Sequence, residues 1–289
     1  MKPSVVAIGG GHGLSATLAA LRRYAGEITA VVSVADDGGS SGRLRASLAG
    51  LPAPGDARRC LVALGDPELI WTSAFEHRFD ARSGDLEGHA FGNLVIAGLA
   101  SALGDFVAAL AEAGRLVGAV GRVLPATSGP VVLRALVAGG EVEGQVNVAE
   151  AGRIAAIALD PPAARSPKEV AAAIHDADQI VIGPGSLFTS VLAAAVASDV
   201  REAVRTTSAQ RVYVCNLDVR ERETAGYDVG AHVEALIAHG IEIDVVLADE
   251  RCLALGHSPV PVVTRPLAAD GGEVHDSERL ASALEDLVG

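Results

Sequence analysis

The chain of 289 residues carries 23 Lys and Arg against 36 Asp and Glu, a net charge of −13, with 49% hydrophobic and 20% charged residues. A chain of this length buries about three quarters of its unfolded surface, and its composition lies far from that of a disordered one. The acidic field repels nucleic acid and anionic lipid, so neither is expected as a main partner.

The apolar run 5–8 predicts a strand that breaks into Gly9-Gly10-Gly11-His12-Gly13, followed by a helix over 14–24 and a second strand over 28–34. That order is a βαβ unit and implies a parallel sheet. The first four N–H groups of a helix lack intrahelical partners and the dipole adds positive potential there, so a glycine loop opening a helix accepts anions. Gly11-x-Gly13-x-x-Ala16 fits the dinucleotide fingerprint, with Asp36 at the acidic position after the second strand. The chain has only two lysines, Lys2 and Lys168, and neither follows a glycine loop. Any phosphate is therefore held by backbone, hydroxyls and arginine.

A second small-residue cluster, Asp36-Asp37-Gly38-Gly39-Ser40-Ser41-Gly42, suits a loop that wraps a ligand. Its paired carboxylates suit a ribose hydroxyl, magnesium or a base, with Arg43 and Arg45 nearby to stabilise them; a solvated acidic turn is the plain alternative. The pattern turns helical over 52–115, interrupted by the glycine-bounded stretches 55–59 and 88–93, which read as loops that expose side chains. There His89 and Asn93 are placed either to bind a sugar or base, or to cap a helix. Residues 115–160 alternate or run apolar at 116–117, 131–136, 146–148 and 154–159, with a Gly139-Gly140 turn, and predict a small β-rich lobe.

The α/β rhythm resumes with a strand at 180–182 and the turn Gly183-Pro184-Gly185-Ser186, which repeats the logic of the first loop. A helix over 187–197, a strand over 212–215 ending at Asn216, a helix over 230–239, strands at 243–247 and 260–263 and a closing helix over 276–288 follow. The expected fold is one α/β domain over 1–289. It is Rossmann-like and doubly wound, with a mainly parallel sheet, helices on both faces and the small lobe at about 115–160.

Cys60, Cys215 and Cys252 are odd in number and form no C-x-x-C pair, so they read as buried small hydrophobes and no structural metal is expected. Only four apolar residues precede the first glycine cluster, too few for a signal peptide. The longest apolar stretch, 94–103, falls short of a membrane span. A cytoplasmic, reducing location is expected, with a homodimer as the common assembly.

Taken together, residues 9–15, 34–45, 54–56, 88–94 and 183–190 resemble the YvcK family of bacterial gluconeogenesis factors, relatives of the phospholactate transferase CofD. The string Ala35-Asp36-Asp37-Gly38-Gly39-Ser40-Ser41-Gly42 carries most of that likeness. The resemblance implies a protein that binds UDP-N-acetylglucosamine, requires no cofactor, and serves cell shape during growth on gluconeogenic carbon. It places Gly10, Gly11, His12 and Gly13 on the phosphates, and Asp36 and Asp37 on a sugar. Ser40, Ser41 and Arg43 would lie over the pyrophosphate, with Asn93, Gly185 and Ser186 on the opposite wall; His89, Gly183, Asn216 and Tyr227 are further candidate ligand-binding residues. The chain departs from the family pattern at His12, usually threonine, at Arg59, commonly asparagine, and at Arg220-Glu221-Arg222, where Pro-Gly usually precedes Glu223-Thr224. The alternative the resemblance offers is a CofD-type transferase acting on a deazaflavin with magnesium. A third, an NAD-dependent oxidoreductase, draws on the fingerprint alone.

Overall fold

A computed structural model describes residues 1–288. Strand β1 (Ser4–Gly9) leads into α1 (Gly11–Tyr24) and β2 (Glu27–Val32), then α2 (Gly39–Ser47), α3 (Gly55–Leu64), α4 (Ile70–Glu76), α5 (Phe91–Leu103), α6 (Phe106–Leu116) and β3 (Arg122–Pro125). Strands β4 (Val132–Val137) and β5 (Gly140–Glu143), helix α7 (Gln145–Glu150), β6 (Ile154–Asp160) and α8 (Lys168–His175) follow. After β7 (Gln179–Ile182), a π-helical turn (Leu187–Leu192) runs into the short α9 (Ala193–Ala195). The chain ends with α10 (Ser198–Thr206), β8 (Gln210–Val214), α11 (Val229–Ala238), β9 (Val245–Ala248), β10 (Val262–Thr264) and α12 (Ser277–Val288).

Seven strands form one sheet in the order β10-β9-β8-β7-β1-β2-β3, and every neighbouring pair is parallel. β7 and β9 are buried at every position, and β1 and β2 at all but the first. Strands buried on both faces need helices on both faces, as a doubly wound α/β fold supplies. From β1 the chain winds outward through β2 to β3, then returns to β7 and winds the other way. The reversal falls between β1 and β7, which pair directly. Ligand crevices form outside the carboxyl ends of strands at such a reversal.

A second sheet, β5-β4-β6, is antiparallel, with Val137 paired to Gly140 across the glycine turn. The small β-rich lobe is therefore present, but its composition differs from the expectation. Residues 146–148, which alternate like a strand, lie in α7, and 116–117 close α6. The reason is tertiary: the Asp37 carboxylate accepts from the Gln145 and Val146 amides at 3.0 and 3.1 Å, capping α7 from across the molecule.

Two further stretches read as loops are helical. Residues 55–59 open α3 and are mostly buried, and the glycine-serine string forms the first turn of α2. At Gly42 the Asp37 carbonyl comes so near that a Cβ would stand 2.0 Å from its oxygen. The first turn of α2 can pack against Asp37 only because Gly42 carries no side chain.

Candidate functional site

The loops after β1 and β7 meet at the reversal point. A Cβ on Gly13 would lie 2.2 Å from the Pro184 carbonyl oxygen, so the first turn of α1 packs on the second loop backbone to backbone. Thr17 Oγ1 donates to the Gly183 carbonyl at 2.8 Å, and the Gly183 amide donates to Ile8 at 3.0 Å. The second loop is held from its far side by Asn216, whose Oδ1 accepts from the Gly185 amide at 2.9 Å. Ser186 Oγ donates to Glu221 at 2.5 Å.

This packed seam divides the crevice into two hollows on either side of the start of α1. The first, about 280 Å³, is lined by Gly11, Asp36, Gly38 to Ser41, Gly55, Asp56, Arg58, Arg59, Arg78, Asn93, Gln145 and Ser190. The second, about 190 Å³, is lined by His12, Gly13, Pro184 to Ser186, Asn216 to Asp218, Glu221 and residues 273–275. Segments distant in sequence converge on each because they follow strands that are neighbours in the sheet.

Of the residues singled out in the sequence, Gly11, Asp36, Ser40, Ser41 and Asn93 line the first hollow, and His12, Gly13, Gly185, Ser186 and Asn216 the second. Gly10 lies behind the first hollow against the Asp56 carboxylate, and Gly183 is buried in the seam. Asp37 caps α7 and lines neither hollow. Arg43 is exposed on α2 and donates to the Glu87 carbonyl at 2.5 Å. Tyr227 lines neither hollow and packs edge-on between Phe188 and His232, with ring centroids 6.4 and 5.4 Å away.

Ser40 ties α2 to the start of α5. Its hydroxyl lies 3.0 Å from His89 Nδ1, accepts from Asn93 Nδ2 at 3.1 Å, and stands 3.4 Å from the Ala90 amide. His89 thus lies one bond behind the wall of the first hollow. Burial, with Arg43 adding to it, holds its imidazole below the ordinary range. Asn93 Oδ1 is buried with no protein partner.

The charges missed in the sequence are Asp56 and the arginine wall. Burial raises the Asp56 carboxyl above its ordinary value; Arg59, at 2.7 Å, and the Gly11 amide oppose this, while Asp36 reinforces it. A divalent cation between Asp36 and Asp56 would replace that repulsion with attraction. Among the described residues, no group of three or more His, Cys, Asp or Glu is placed to hold a metal. Such an ion would therefore complete its shell with water and ligand phosphate, as magnesium does. Arg58 pairs with Glu76, and Arg78 donates to the Gly88 carbonyl at 3.1 Å. One signal for this wall lay in the sequence: a phosphate site without lysine needs arginine. Among the described residues, no helix is long and apolar enough to cross a membrane.

Residues 5–259 match the family model described as 2-phospho-L-lactate transferase CofD. The chain is 41% identical over 254 residues to the gluconeogenesis factor of Halalkalibacterium halodurans, covering 86% of this chain and 78% of that protein. It is 38% identical over 315 aligned positions to the gluconeogenesis factor of Bacillus subtilis, covering 99% and 98%. A longer Nostoc relative is 44% identical over 241 residues, 82% of this chain and 52% of that protein. A crystal structure of a UPF0052 family member from Bacillus halodurans superposes with a TM-score of 0.92 at 34% identity over 99% of both chains. The fold, the glycine-loop crevice and these matches agree: the chain belongs to the CofD family, in the branch of the YvcK-type gluconeogenesis factors.

Proposed function

We propose that the crevice binds a nucleotide-sugar, UDP-N-acetylglucosamine, and that the protein acts as a cytoplasmic regulator of cell shape on gluconeogenic carbon. One observation carries the ligand class. Two hollows flank a helix start whose His12 and Gly13 amides have no partner within the helix. A diphosphate with a bulky group at each end has that shape. Its charge would sit at the α1 terminus, where backbone and dipole favour it. Ser40, Ser41 and Asn93 offer neutral hydrogen-bonding groups to one end, and Ser186 and Asn216 to the other. The regulatory role rests on the naming of the relatives as gluconeogenesis factors.

The test is a thermal-shift panel of UDP-N-acetylglucosamine, UDP, NAD and GTP. At about a hundredfold excess over its dissociation constant, a ligand of the native state adds about 2.7 kcal/mol to unfolding. Stabilisation by the uridine nucleotides above the others supports the reading, and no response to any of them refutes it.

A transferase of the CofD type is the second reading, favoured by the Asp36 and Asp56 carboxylates that line the first hollow together. In it those two residues would hold magnesium, which would neutralise the diphosphate of a nucleotide-activated phospholactate. Turnover of that donor with a deazaflavin acceptor, lost in Asp36→Asn, would establish it.

A further inference from the structure

A third hollow, about 320 Å³, lies between α1 and α3 and is not used by the nucleotide-sugar reading. His12 and Ser15 line it from α1, Arg58 and Arg59 from α3, and Glu76 and Arg78 from the end of α4 and just beyond. The three arginines also line the first hollow, so they form a wall between the two. The lining sets three arginines against a single carboxylate, Glu76.

Glu76 is the one carboxylate in this lining, and it is taken by Arg58. Arg59 is directed to Asp56, which belongs to the first hollow. Arg78 has the Gly88 carbonyl as a partner and, among the described residues, forms no ion pair. Arg58 is 3% exposed, and its Nε is buried without a hydrogen-bond partner. A buried guanidinium nitrogen lacking an acceptor is costly, and it lies in a wall that already has more cations than carboxylates.

We propose that this hollow is a separate oxyanion site that takes a phosphate group, as inorganic phosphate or as the monoester of a second ligand. Guanidinium forks match a tetrahedral oxyanion with paired hydrogen bonds. Exposed His12 adds an imidazole N–H from the rim, and the hollow meets the nucleotide crevice along the arginine wall.

The experiment titrates the full chain calorimetrically with inorganic phosphate and, separately, with glycerol 3-phosphate, at constant ionic strength held with chloride. Saturable binding of one phosphate is expected, weakened about tenfold in Arg78→Gln and in Arg59→Asn. His12→Thr, an exposed change that leaves the core untouched, is expected to weaken it several-fold and keeps the test decisive if an arginine variant misfolds. Tighter binding of the monoester supports a second organic ligand; equal or weaker binding supports free phosphate. No saturable binding of either probe, or binding unaltered in all three variants, overturns the proposal. UDP-N-acetylglucosamine is titrated on the same samples, so failure of the nucleotide-sugar reading is seen separately.

Discussion

Replacing Gly13 with alanine tests whether the β1 and β7 loops are locked together. The added Cβ would stand 2.2 Å from the Pro184 oxygen and 2.5 Å from its carbonyl carbon, where real contacts of this kind do not fall below 3.0 Å. One loop must retreat by about 0.8 Å, yet both are anchored by the sheet and by the Thr17 hydroxyl. Overpacking against fixed backbone costs about 3 kcal/mol, and alanine in a helix returns about 1 kcal/mol. The net loss is about 2 kcal/mol, a fall in Tm of about 3 °C for a chain of 289 residues. Gly98 is the control, because it lies in α5 with nothing within 4 Å of its Cβ position. Gly98→Ala should gain about 1 kcal/mol from helix propensity alone. Calorimetric melting of both variants beside the parent decides the matter. If Gly13→Ala melts with or above the parent, the loops are not locked and the crevice geometry argued from them fails.

Glu223 is 1% exposed; its Oε1 accepts from the Phe188 amide at 2.9 Å and its Oε2 has no partner. Burial raises its carboxyl from 4.5 to about 7. A group with a raised folded pKa contributes stability that is fully present below the unfolded value and lost as pH rises through the folded one. Between pH 4.5 and about 7 that loss amounts to about 3 kcal/mol. Denaturant titrations across this window should show Glu223→Gln, neutral throughout, gaining on the parent as pH rises; parallel curves would contradict the assignment. Ser40→Ala removes the oxygen shared by His89 and Asn93, leaves a buried donor unpaired and should cost about 1 to 3 kcal/mol in urea unfolding. An unchanged midpoint would show that the α2–α5 link carries no stability.

The parallel sheet and both glycine loops were legible because strand, glycine cluster and helix follow one another locally at residues 5–24 and 180–192. Helix α7 was not, since its alternating residues 146–148 suit a strand and its cap, Asp37, lies more than a hundred positions away. Helix α2 was hidden by glycines that discourage a helix in isolation; the approach of the Asp37 carbonyl explains Gly42, and a φ of +44° explains Gly39. The crevice was visible as two loops, but not its division, which arises from the contact of Gly13 with Pro184. The arginine wall escaped for a similar reason. Arg58 and Arg78 are separated by α4, and the packing of that helix turns both toward His12.

The most direct test of the account is a crystal structure with UDP-N-acetylglucosamine bound. The diphosphate should lie over the His12 and Gly13 amides, with one end of the ligand beside Ser40, Ser41 and Asn93 and the other beside Ser186 and Asn216. A ligand bound elsewhere, or a crevice left empty at saturating concentration in solution as well as in the crystal, would contradict it.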